Sequence, residues 1–260
     1  MNIIKAPFSG GGLGHGNGAN KAPDVVVDKL KDIFSNEDKV ECKFEVEDLV
    51  LDEANIEESH NKIFDKLRSH SEKAIIIGGD HSITYPAVKG FSKNVKDFKL
   101  IVFDAHPDLM DNFVPPSQED YLRVLIEEEI VAAEDVIIVG VRNWDEKEIT
   151  YLEEKKIKHF TCKQIFEKGI KSVMSEIVVE CDKPIYLSID IDCVDPVEAI
   201  GTGYTEHGGL SSRELLYALQ QLKLTGKIAM CDVVEINPDK DVKDITSMLG
   251  AKIIAELCDF

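Results

Sequence analysis

Short apolar runs rich in valine and isoleucine, several of them unbroken, recur along this chain, and longer amphipathic stretches separate them. The runs are Ile3–Phe8, Val40–Val46, Ala74–Ile77, Leu100–Phe103, Val136–Val139, Lys158–Phe160, Ile185–Ile189 and Ile228–Val234. A strand with one face in water alternates apolar and polar residues, so an unbroken apolar run fits a strand covered on both faces. Between the runs, Asp52–His70, Ser117–Glu129, Asp145–Lys155, Ser211–Lys223 and Asp244–Leu257 carry helical patterns, and Pro23-Asp24 opens another helix with proline in its first turn. Ser211 and Glu214 have the spacing of a capping box. Strand and helix alternate throughout. The expected fold class is therefore α/β: a doubly wound, mostly parallel β-sheet with helices on both faces. A closed eight-stranded barrel competes with it, because the number of strands would be similar. No linker, repeat or low-complexity segment interrupts the pattern, so one domain over residues 1–260 is expected.

Composition narrows the function. With 43% hydrophobic residues the chain can bury a real core. No apolar run approaches the roughly 18 residues of a membrane span. The start, Met1-Asn2-Ile3-Ile4-Lys5-Ala6-Pro7, lacks the basic and apolar regions of a secretory signal. No membrane partner and a cytoplasmic location are expected. A formal net charge of −19 argues against a nucleic-acid partner, whose phosphates need basic patches. The same field favours metal ions and cationic small molecules, although solubility alone is a sufficient reason for it. Cys42, Cys162, Cys181, Cys193, Cys231 and Cys258 include no CxxC pair and read as reduced thiols, with Cys193 and Cys231 in packing roles.

In open α/β sheets, ligands bind beyond the carboxyl ends of the strands. Gly78-Gly79-Asp80-His81-Ser82 follows one run, Asp104-Ala105-His106-Pro107-Asp108 a second, and Asp190-Ile191-Asp192-Cys193-Val194-Asp195-Pro196 a third. Glu235-Ile236-Asn237-Pro238 follows a fourth. Asp104, His106 and Asp108 are two apart, as are Asp190 and Asp192, and residues two apart on an extended segment project to one side. Carboxylates gathered in this way repel each other unless cations neutralise them. Imidazole and carboxylate without thiolate suits Mn²⁺ or a similar ion, and a pair of such ions can generate hydroxide from water at neutral pH. Each motif alone has a plainer reading: Asp80 can cap a helix, and Asp-x-His-x-Asp can be a solvated loop. Their coincidence at successive strand ends favours a metal site. A formal GxGxxA at Gly14–Ala19 offers a dinucleotide site instead, but it lies in a stretch crowded with further glycines and leaves the acids unexplained.

GGDHS, DAHPD, SIDIDCVDP and VEINP, in this order over most of the chain, resemble the ureohydrolase family of arginases and agmatinases. The resemblance implies an arginase-like fold, two Mn²⁺ per chain, and hydrolysis of guanidino groups to urea and an amine, or of related formimino compounds. It implies His81, Asp104, Asp108 and Asp190 as ligands of one ion and Asp104, His106, Asp190 and Asp192 as ligands of the other, with Asp104 and Asp190 bridging. Glu235 falls where the family sets an acid against the substrate cation, and Asp145 where arginases contact the polar end of the substrate. A homo-oligomer, trimer or hexamer, is also implied.

Two departures bear on substrate. The family's proton-shuttling histidine is replaced by Gln118, which cannot titrate. Bulky Tyr204 stands near the expected metals, where the family has a small hydroxyl residue. Gln118, Tyr204 and Asp145 are thus the substrate-binding candidates, and Glu119 and His207 join Glu235 as catalytic candidates able to carry a proton. His15 is a weaker candidate, and a catalytically weak scaffold that keeps its metals is the remaining alternative.

Overall fold

In a computed structural model describing residues 1–260, strands from all eight regions form one sheet in which every neighbouring pair is parallel. The strands are β1 (Asn2–Lys5), β2 (Glu45–Asp48), β3 (Ala74–Ile77), β4 (Lys99–Phe103), β5 (Val136–Val141), β6 (Lys158–Thr161), β7 (Ile185–Asp190) and β8 (Ile228–Val234). Their order is β2-β1-β3-β8-β7-β4-β5-β6. The sheet is open at β2 and β6, which overturns the barrel alternative.

Helices α1 (Ala22–Leu30), α7 (Ile170–Val179), α8 (Ser212–Leu224) and α9 (Ile245–Glu256) cover one face, placing Val26, Val173, Leu219 and Ile253 against Ile75, Ile101 and Phe103. Helices α2 (Ile56–Ser69), α3 (Thr84–Phe91), α4 (Tyr121–Glu127) and α5 (Glu146–Lys155) cover the other, placing Ile63, Val88, Leu125 and Leu152 against Ile76, Leu100 and Val102. Successive strand residues point to opposite cores, which is why the inner runs show no polar alternation. The last helix, α6 (Cys162–Lys168), is joined to α7 through Gly169, whose φ of +79° lets the chain turn between them.

Several elements differ from the sequence expectation. The second strand is Glu45–Asp48, not Val40–Val46, and it is an exposed edge. Val40 closes a turn instead, accepting from the Asn36 N–H at 3.1 Å, while Cys42 and Phe44 pack against the core. Helix α4 is shorter than Ser117–Glu129. The Asp120 carboxylate accepts the N–H groups of Phe113 and Ser117, both at 2.7 Å, and folds residues 113–120 into a loop. Helix α3 had no legible period because nearly all its residues are buried.

The winding order positions the site. After β3 the chain passes two strand positions to form β4, and β7 and β8 later fill the gap. The carboxyl ends of β3, β8, β7 and β4 thus lie side by side in the middle of the sheet, and these are the four strands followed by acids. Gly79 is needed where the first of these strands ends: a Cβ there would lie 1.7 Å from the Phe8 carbonyl oxygen. Its own carbonyl accepts the Glu235 N–H at 2.7 Å, so the strand end cannot move aside freely. Gly79→Ala should lower unfolding stability by about 3 kcal/mol or more, read from the urea midpoint. An unchanged midpoint would show that the Phe8 segment yields at little cost.

Candidate metal centre

Beyond β3 the chain makes one 3-10 turn, His81–Ile83, capped by Asp80. The Asp80 carboxylate accepts the Ser82 N–H at 2.9 Å and also the Ser82 hydroxyl, so the plain capping role is correct for this residue. The turn aims His81 inward, at 1% exposure. Its Nδ1 lies 3.1 Å from Asp104, 3.1 Å from Asp108 and 3.2 Å from Asp190, yet has no hydrogen-bond partner. Its Nε2 lies 2.9 Å from the Ser188 hydroxyl, and that hydroxyl donates to Asp232 at 2.6 Å. Because the serine proton goes to Asp232, the serine oxygen accepts the Nε2 proton, which leaves Nδ1 as the ring atom turned toward the three carboxylates, free to ligate a cation once it carries no proton. Asp232 is itself held by Tyr186 at 2.7 Å and Thr84 at 3.0 Å. Outer groups that fix an imidazole tautomer in this way are typical of metal ligands.

On the far side of Asp104, His106 Nδ1 lies 3.0 Å from Asp192 and 3.6 Å from Asp104, and its Nε2 lies 3.6 Å from Glu206. Asp104 therefore belongs to two potential ligand groups, one with His81 and Asp108 and one with His106 and Asp192. Asp190 meets the first group through His81, while its other oxygen accepts the Asp192 N–H at 2.7 Å. All six residues expected as ligands come together.

The reason for their convergence is not the one expected. An extended segment does not align them. Asp104 ends its run by accepting the His106 N–H at 2.6 Å, and Asp108 turns inward through a left-handed backbone at φ +53°. Asp190 ends β7 and caps the 3-10 turn Ile191–Cys193 that carries Asp192. Glu235 is also left-handed, at φ +62°. Such strain in residues other than glycine gathers at functional sites. Burial, then the charge of Asp104, pushes Asp108 well above the usual carboxylate range. Burial, then Asp192 and Asp104, does the same to Asp190. No lysine or arginine lines the cavity beside them. The donor set fits divalent cations: imidazole nitrogen, crowded carboxylates, and no lysine or arginine to neutralise them.

The cavity over this cluster holds about 330 Å³. Glu235 stands in its wall, its Oε1 accepting the His81 N–H at 2.7 Å. Gln118 is 5% exposed, and neither its side-chain nitrogen nor its oxygen has a partner. Its backbone N–H donates to the Gly11 carbonyl at 3.1 Å, which fixes where the amide sits. Half-buried Glu119 accepts from the Tyr204 hydroxyl at 3.3 Å, and the Tyr204 ring stacks on His15 at 4.5 Å between centroids and meets His106 edge-on at 5.6 Å. Asp145 lines the cavity too, but its carboxylate caps α5, accepting the Lys147 N–H at 2.9 Å.

His207 is a correction: it is exposed and does not line the cavity. The Asp195 carboxylate accepts the N–H groups of Gly208 at 2.8 Å and Gly209 at 3.2 Å, and Arg142 holds the Glu206 carbonyl at 2.6 Å. The loop so pinned presents Glu206 to His106 and turns His207 to solvent.

Sequence reasoning missed Ser188, Asp232, Glu148, Arg142 and Glu206. Serine and aspartate inside otherwise apolar strands were the available signal for the first two. Arg142 also donates to the Asp192 carbonyl at 2.7 Å, tying that loop down. Buried Glu148 accepts the N–H of Leu109 at 3.0 Å and of Asp145 at 2.8 Å, which anchors the segment just after Asp108. Glu148→Ala leaves two amides without their acceptor and should cost about 2–4 kcal/mol in unfolding free energy, measured with urea. A loss near zero would mean that water replaces the carboxylate.

The model of the arginase family matches residues 1–259. A formimidoylglutamase from Halalkalibacterium halodurans is 28% identical over 97% of this chain and 84% of its own length. An arginase from Staphylococcus aureus is 33% identical over 69% of this chain and 65% of its own length. The crystal structure of formimidoylglutamase from Bacillus subtilis superposes with a TM-score of 0.93 at 26% identity, covering 99% of this chain and 85% of that one. With a fold that superposes over nearly its whole length and a family model that matches residues 1–259, the chain belongs to the arginase family of hydrolases.

Proposed function

We propose that the chain holds two divalent cations, with Mn²⁺ the best match, and hydrolyses a C–N bond at the amidino carbon of a small cationic guanidino or amidino compound. A guanidino substrate would give urea and an amine. The observation that carries this reading is the unpartnered Nδ1 of His81, faced by Asp104, Asp108 and Asp190. His81, Asp104, Asp108 and Asp190 would hold one ion, and Asp104, His106, Asp190 and Asp192 the other. When bound, such a pair supplies a water of lowered pKa and neutralises the four carboxylates.

The remaining residues bind and orient. Glu235 keeps its Oε1 on the His81 N–H and has Oε2 left for a substrate cation, a charge-assisted contact. The cavity wall supports the choice of tail. It carries Glu119 and Asp145 but no lysine or arginine, so an anionic tail has no partner of opposite charge there. Arg142, close by in sequence, has its guanidinium engaged with backbone carbonyls of Glu206 and Asp192. A guanidinoalkylamine therefore fits better than arginine. A formimino substrate is the second reading, favoured by the likeness to a formimidoylglutamase over nearly the whole chain. The same family likeness supports a trimer or hexamer, and no helix is long and apolar enough to cross a membrane.

Gln118 sets the rate on guanidines in this reading. Its unengaged amide can hydrogen-bond substrate, but it cannot deliver the proton that a leaving amine needs. Glu119 is the titratable neighbour left at that position, held by Tyr204. Turnover on guanidinoalkylamines and arginine should be weak. Gln118→His should raise it by about 10²–10⁴-fold, the usual size of positioned acid–base help. Loss of turnover on a formimino compound with no gain on guanidines would instead assign Gln118 to the second reading. Absence of turnover on every such compound, with metals bound, would leave a metal-holding scaffold.

Metal content separates the ligands from the substrate groups. Purified wild-type protein dialysed with manganese should carry two ions per chain by elemental analysis, and Asp190→Ala should lose at least one. Glu235→Gln keeps an acceptor for the His81 N–H, so it should lower turnover while leaving metal content intact. Loss of metal from that variant would make Glu235 a ligand and end its assignment to substrate.

A further inference from the structure

Cys42 lies in the segment between α1 and β2, and Cys258 lies two residues beyond α9, 216 positions along the chain. Both are free thiols, and their sulfurs are 2.7 Å apart. That is closer than two non-bonded sulfur atoms normally approach, and within a small movement of the roughly 2.05 Å bond of a disulfide. No other cysteine is placed in this way. Cys162 points its sulfur at the Gly140 carbonyl at 3.1 Å, and Cys181 at the Ile177 carbonyl at 3.3 Å.

The approach does not come from a loose tail, because both backbones are pinned. Asn36 accepts the Val40 N–H at 2.9 Å and donates to Asp259 at 3.2 Å. The Glu37 N–H donates to Glu256 at 2.9 Å, and the Glu37 carboxylate takes both nitrogens of Arg213, at 2.9 and 2.7 Å. Lys223 joins Asp38 at 3.0 Å to Asp259 at 2.9 Å. These contacts hold residues 36–40, just before Cys42, against Glu256 and Asp259, which flank Cys258. Cys42 is the half-buried partner and Cys258 the buried one. Burial, then the hydrogen bond with Cys42, pushes the Cys258 thiol up to about 12. The partner that meets a reagent first is therefore Cys42.

We propose that Cys42 and Cys258 are a modification site: they form a reversible disulfide by exchange with a low-molecular-weight disulfide. The Cys42 thiolate attacks one sulfur of the small disulfide, forms a mixed disulfide and expels one thiolate. Cys258 gives up its proton and attacks the Cys42 sulfur, which forms the Cys42–Cys258 bond and expels the second thiolate. The protein loses two protons and two electrons, and the small disulfide is reduced to two thiols. Neither cysteine lines the metal cavity, so the bond acts on the chain's ends and not on the substrate site. By closing so long a loop it restricts the unfolded chain and raises the melting temperature.

The test uses the full chain, loaded with manganese and exposed either to oxidised glutathione or to dithiothreitol. Peptide mapping without reduction should find Cys42 joined to Cys258 after glutathione treatment and both cysteines alkylated after dithiothreitol. The oxidised protein should melt about 5 °C or more above the reduced one. Cys42→Ser should show no such difference. Two outcomes overturn the proposal: both cysteines still free after prolonged oxidation, or Cys42 carrying glutathione with Cys258 unreacted. If Cys42→Ser does not fold, the peptide map of the wild-type chain decides alone.

Discussion

Mutual repulsion among buried carboxylates is the constraint on which this structure turns. Asp104, Asp108, Asp190 and Asp192 are all nearly inaccessible, and three of them face the Nδ1 of His81. A folded chain does not gather such groups without something positive to hold them. No lysine or arginine lines the cavity beside them. Contacts around the cluster fix where its members sit: the Ser188–Asp232 relay behind His81, Glu148 behind Asp108, Arg142 beneath Asp192, and left-handed backbone at Asp108 and Glu235.

The fold supplies the meeting place. Strands β7 and β8, formed late in the chain, insert between β3 and β4, which formed early. Residues more than a hundred positions apart become neighbours at one sheet edge, and the apolar cores on both faces keep those strand ends from shifting. The glycines before Asp80 belong to the same design. Gly79 lets the Phe8 backbone approach the end of β3 more closely than a side chain would allow, and Gly78 leaves room for the Ile83 and Val234 side chains.

Much of this was legible in the sequence, for physical reasons that differ from residue to residue. Unbroken apolar runs betray a sheet covered on both faces, and acids directly after such runs betray a site. The resemblance to the ureohydrolases then singled out the six ligand candidates among those acids and histidines. What failed was local geometry. Residues two apart were expected to project together from an extended segment, whereas Asp104, His106 and Asp108 meet through a turn and a left-handed residue that spacing cannot reveal. His207 was expected to face the site because it can titrate, but loop direction is set by Asp195 and Arg142 through backbone contacts. Helix α3 is buried nearly all round and so carried no period, and the Ser117–Asp120 contacts shortened a helix whose pattern looked continuous. Ser188 and Asp232 could have been noticed as polar residues inside buried strands, which seldom persist without a partner or a task.

Gln118 is the residue on which the proposed selectivity turns. Its amide is buried with both polar atoms unpaired, beside a ring, Tyr204, that packs on His106. The centre itself can be tested apart from any substrate. Crystals grown with manganese, measured on both sides of the manganese absorption edge, should show two anomalous peaks per chain. One should be coordinated by His81 Nδ1 and the other by His106 Nδ1, with Asp104 touching both. A map with no peak at His81, or with a single peak that leaves Asp104 on one ion only, would contradict the central claim that these carboxylates are gathered around a pair of metals.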